Sequence, residues 1–123
     1  MKIPVVRYHA NLIEYFVHHE DVRRANGFPP RTDRPDLDEE LWGLLGRMAP
    51  LMVRKAGVSG VRVELRRPDG TTHGAGKGDD VVTISGPAGE LVLELYGRRP
   101  HAQVNYEGPQ AATERVQAAE FGI

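Results

Sequence analysis

The sequence predicts an α+β fold in the order helix, helix, three strands, helix, strand, helix. Three observations point that way. Apolar residues recur at helical spacing through the first half of the chain. The period then switches to two, with Val61, Val63 and Leu65 alternating with Arg62, Glu64 and Arg66. Prolines and glycines stand at the expected starts and stops. The chain has 123 residues, 40% hydrophobic and 27% charged, which suits one modest globular domain.

The first helix is "NLIEYFVHHEDVRRA", residues 11–25. Leu12, Ile13, Phe16 and Val17 cover one face. Asn11, Glu14, His18 and Asp21 follow at steps of three, four and three and form a polar stripe beside it. Glu20, Arg23 and Arg24 are expected in solvent. Gly27 serves as C-cap, and Pro29 and Pro30 forbid continuation. "GFPPRTDRPDL", residues 27–37, is a stiff proline-rich linker. Three parts are thus expected: a terminal helix (1–26), the linker (27–37) and a C-terminal α/β domain (38–123).

The second helix opens with a capping-box pattern, Asp36 capping and Glu39 reaching back. Leu41, Leu44, Leu45, Met48 and Met52 form its buried face, flanked by Trp42. Pro50 should kink it near Gly46, and Gly57 ends it. The alternating strand comes next, then a turn in "RPDG", where Pro68 presets φ and Gly70 accepts φ > 0. A weaker strand or loop covers 71–78, and a further strand runs from about Val81 to Ser85. "PAGELVLELYGRR" fits strand or helix; Pro87, the early Glu90 and the late Arg98 and Arg99 favour helix. "HAQVNYEG" reads as a strand, and "PQAATERVQAAEFGI" as a closing helix from Pro109 to Gly122.

The formal net charge of −1 gives no reason to expect nucleic acid or an anionic membrane as partner. The chain has no cysteine, which excludes disulfides, thiolate ligands and a cysteine nucleophile and suits a reducing compartment. "MKIPVVRYHA" is too short and broken for a signal peptide, and no apolar run would span a bilayer, so the cytoplasm is the expected location.

The sharpest chemical feature is Glu14-x-x-x-His18. Glutamate and histidine one helical turn apart can bind one divalent metal, and Asp21, a turn further, can orient the imidazole. The plain alternative is an intrahelical Glu–His contact. His19 lies about 100° round the helix and cannot share that metal. His9 is off the stripe, and His73 and His101 are expected to be exposed. "GAGKGDD" fails the phosphate-loop pattern and is expected to be a glycine-rich hairpin. Neither serine, Ser59 or Ser85, sits in a nucleophile elbow.

"EYFVHHEDVRRA" resembles the fourth-helix motif of actinobacterial metal-binding proteins of the DinB-like superfamily, to which mycothiol-dependent maleylpyruvate isomerase belongs. "VELRRPDG", "VVTISGPAGELVLELYGRR" and the closing "VNYEGPQAATERVQAAEFGI" resemble the small α/β domain that follows the bundle there, similar in type to sterol carrier proteins. The resemblance implies that "GELVLELYGRR" is a helix. It implies a bundle metal, zinc foremost, held by an early histidine and an E-x-x-x-H pair, here Glu14 and His18. It also implies thiol-dependent isomerase or S-transferase chemistry with mycothiol or another small thiol. The first three bundle helices and the early histidine do not precede Glu14 here, so a truncated or degenerate form is expected. The other function considered is a non-catalytic binding or assembly module taking a small ligand. Because Leu12, Ile13, Phe16 and Val17 would lack their bundle partners, a homodimer through the first helix is expected.

Overall fold

The computed structural model describes residues 5–27, 35–97 and 102–121. It has the expected element order: α1 (Val5–Ala25), α2 (Pro35–Lys55), β1 (Val61–Arg66), β2 (Thr72–Ala75), β3 (Asp80–Ser85), α3 (Ala88–Leu95), β4 (Asn105–Glu107) and α4 (Gln110–Ala118). The fold is α+β, with four helices around a mixed four-stranded sheet. Most of the proline-rich linker, residues 28–34, lies outside the described residues.

α1 starts earlier than its apolar pattern indicates, because nothing between Pro4 and Gly27 breaks a helix. α2 also starts earlier. Pro35 takes the first helical position, where its missing N–H costs nothing, and Asp36 lies inside the first turn. The next two acids reach distant partners. Asp38 accepts a hydrogen bond from the Ala88 N–H at 3.0 Å and so caps α3, and Glu39 pairs with Arg67. Pro50 lies within α2, and the helix runs on to Lys55.

The sheet order is β2-β1-β3-β4. β1 pairs antiparallel with β2 and parallel with β3, which pairs antiparallel with β4. β2 and β3 are therefore not a hairpin, contrary to expectation. The glycine-rich stretch between them carries the chain across the start of β1. It passes so close that a Cβ on Gly78 would lie 2.2 Å from the carbonyl of Gly60. β4 is shorter than the sequence pattern, because the Gln103 N–H bonds to the Glu90 carboxylate instead of to a strand. α4 ends at Ala118, and the chain turns back to bury Phe121.

One apolar cluster spans the molecule. Val61, Val63 and Leu65 of β1 and Val82 and Ile84 of β3 supply the sheet's buried face. α3 packs on α2, α1 packs on α3, α2 also touches β2, and α4 touches β3. α3 is buried on all sides, from Ala88 through Glu90 to Leu95. That burial explains why "GELVLEL" is apolar apart from Glu90 and Glu94, too little contrast to mark a solvent face. His73 is half-buried, not exposed as expected. Its ring stacks on Trp42 at 3.9 Å, its Nε2 lies 3.1 Å from the Trp42 carbonyl oxygen, and it leaves room for nothing larger than Gly46 beneath it. The guanidinium of Arg67 sits over the same indole at 4.8 Å.

Candidate functional site

α1 carries the residues singled out for metal chemistry, and its packing decides where they point. Ile13, Phe16 and Val17 are buried, and the tip of the Phe16 ring rests against Gly89 of α3. With that face inward, Glu14 and His18 are exposed together on the outer face, and Asp21 is half-buried beside them. The i, i+4 spacing on a regular helix puts their Cβ atoms about 5–6 Å apart. Glu14 also lies close enough to the buried Tyr96 to act on it. Burial first, and then the Glu14 charge, push the Tyr96 phenol above its usual range. The Tyr96 hydroxyl donates to Met48 Sδ at 3.8 Å.

Glu14 and His18 are two donors. No group of three or more metal-ligating side chains comes together among the described residues. His9 and His101 have no described side chain. The pair on its own does not meet the three or four ligands that zinc takes.

Beneath this stripe lies a buried ionic cluster. Glu20 is fully buried, not solvated as expected, and the Arg24 side chain is 5% exposed. Arg24 donates to both oxygens of Glu90, at 2.7 and 2.8 Å, and to Glu20 at 3.3 Å. Arg23 donates to Glu20 at 2.8 Å. Glu90 Oε1 also accepts the Gln103 N–H at 3.1 Å. The hydrogen bond to Glu90 is the main reason that the Arg24 guanidinium is held above its ordinary value. Two carboxylates and two guanidiniums cancel in charge, as buried ions must. The bidentate Arg24–Glu90 pair joins α1 to the N-terminal turn of α3 and so fixes the rotation of α1. One turn further along α3, Glu94 accepts the Tyr106 hydroxyl at 2.6 Å, tying β4 to the same helix.

The sequence held a signal for this cluster. Ile13, Val17, Glu20 and Arg24 follow one another at steps of four, three and four, which is the buried stripe continued. A charge at such a position hides the continuation from any reading based on hydropathy.

A second concave region lies at the carboxyl ends of the parallel pair β1 and β3. It measures about 440 Å³ and is lined by Arg66, Arg67, Ser85, Gln103 and Asn105 among others. Its guanidiniums are engaged: Arg66 pairs with Glu107 at 3.3 Å, and Arg67 pairs with Glu39 and, at 3.4 Å, with Asp69.

The family model described as the MDMPI C-terminal domain, that of maleylpyruvate isomerase, matches residues 31–115. No curated protein matches the chain, and no solved structure does.

Proposed function

The chain belongs to the family of the maleylpyruvate isomerase C-terminal domain, and from that membership we propose that it serves metal- and thiol-dependent isomerase or S-transferase chemistry. In this reading Glu14 and His18 supply two ligands to a divalent metal, zinc first, and Asp21 steadies the His18 ring. Further ligands come from water, from another chain or from outside the described residues. A metal so held would supply acidity to a bound small thiol such as mycothiol. The chain's own contribution is to present both donors on one exposed face of a helix that Arg24 and Glu90 lock in rotation. That outward presentation of the pair is the observation that carries the proposal.

Metal analysis of untagged protein, with zinc titration calorimetry, tests it. Wild type should retain zinc, and His18→Ala and Glu14→Ala should lose it. A stoichiometric metal that survives His18→Ala overturns the assignment.

The second reading, a non-catalytic binding module, is favoured by the open cleft at the ends of β1 and β3, where open α/β sheets take ligands. A protein that binds no zinc yet binds a small ligand in that cleft would support it.

A further inference from the structure

The last two turns of α2, residues 58–60 and the loop after β2 enclose a crevice of about 600 Å³, in the range of small-ligand sites. Pro50, Leu51, Val53 and Val58 make its apolar lining, and Leu51 is 51% exposed. Arg47, Arg54 and Lys77 are its cations.

Among the described residues these cations pair with no carboxylate, unlike most of the described guanidiniums. Arg23, Arg24, Arg66 and Arg67 pair with carboxylates, and Arg115 donates to the Ser59 carbonyl. Arg47, Arg54 and Lys77 make no ion pair among the described residues. The acids of α2, Asp36, Asp38, Glu39 and Glu40, all lie towards its other end. Asp79 and Asp80 follow the glycine-rich loop but do not line the crevice. The α2 carbonyl terminus opposes an anion by about half a charge, which three cations outweigh.

We propose that this crevice binds a small anionic amphiphile, with one phosphate or carboxylate head on a short aliphatic body. The head lies among Arg47, Arg54 and Lys77 and relieves their mutual repulsion. The body covers Leu51 and Val58. The site is separate from the Glu14–His18 pair, since no residue of α1 lines it.

Hexyl phosphate and hexanoate, titrated into the full chain while its amide resonances are followed, provide the test; inorganic phosphate and hexanol serve as controls. Saturable shifts of the amides of residues 51–60 and 76–77 are expected from at least one of the amphiphiles. That amphiphile should bind about tenfold tighter than either control, and Arg54→Glu and Lys77→Glu should each weaken it about tenfold. Arg62→Glu, which removes an exposed cation outside the crevice, should leave the affinity unchanged. If a charge reversal disturbs the spectrum of the free protein, Arg54→Gln and Lys77→Gln replace it and should weaken binding in the same sense. The proposal is overturned by the absence of saturable shifts at those amides, by affinity that survives the substitutions, or by a control that binds as tightly. Binding only to vesicles of anionic lipid would overturn it as well.

Discussion

At the scale of single residues, two buried groups carry consequences that solution measurements can read. Tyr96 is 3% exposed, and its phenol is pushed up by burial and then by Glu14. The folded state therefore holds the phenolic proton more tightly than the unfolded chain, whose tyrosines titrate at about 10. Stability from the neutral phenol is complete below that unfolded value and is lost as pH rises through the folded one. In an absorbance titration Tyr96 should ionise above the ordinary tyrosine range. Glu14→Gln should bring Tyr96 part of the way down, because the larger cause remains. An unchanged Tyr96 would mean that Glu14 does not face α3's end. Glu90 makes the second case. Glu90→Gln keeps the side chain's shape but removes the negative charge that Arg24 meets through two hydrogen bonds. A loss of about 2–4 kcal/mol in urea unfolding is expected, since the remaining buried charge is poorly compensated.

At the scale of elements, the route from β2 to β3 is set by glycine. The chain must pass over the start of β1 to place β3 on its far side, and Gly78 makes the passage against the Gly60 carbonyl. Gly78→Ala puts a methyl into backbone that has no flexible end to yield. About 1–3 kcal/mol of destabilisation is expected by chemical unfolding, with β1–β3 amides among the first to lose exchange protection. Gly74→Ala serves as a comparison, since the Cβ there meets only the end of the exposed Arg62 side chain. Equal losses in both would show that the crossing is not what makes Gly78 special. α3 illustrates the reverse relation between element and context. Its two glutamates look like helix-surface residues in the sequence, yet each is buried and holds a neighbour, Glu90 with α1 and Glu94 with β4.

At the scale of the whole molecule, the apolar stripe of α1 bears on whether the chain pairs with a second copy. Ile13, Phe16 and Val17 are buried within the single chain, with the Phe16 ring against Gly89 of α3. Leu12 is half-buried, and Tyr15 and Val22 are the exposed large apolar side chains of α1 among the described residues. Sedimentation should accordingly give a monomer at micromolar concentration. Phe16→Glu should then act by loosening α1 from α3, seen as lost stability rather than as a changed mass. A concentration-dependent dimer that Phe16→Glu abolishes would instead return the first helix to its expected role. The family match at residues 31–115 covers α2 to most of α4 and leaves α1 outside it. The metal proposal, resting on α1, and the fold assignment, resting on the rest, can therefore fail independently.

Periodicity and breakers determined the order of the elements apart from residues 71–78 and the "GELVLEL" stretch, the buried faces of α2 and β1, and the placing of Glu14 and His18 on one side of a helix. Those are local facts, fixed by which residues lie three, four or two apart. Only the tertiary structure decided that α1 folds onto α3, that Glu20 and Arg24 are interior, that His73 stacks on Trp42, and that β1 lies between β2 and β3. Each of these depends on a partner distant in the chain, such as Glu90 for Arg24 or Trp42 for His73. A buried charge looks the same in sequence as a solvated one, because what makes it tolerable is the opposite charge that folding brings to it.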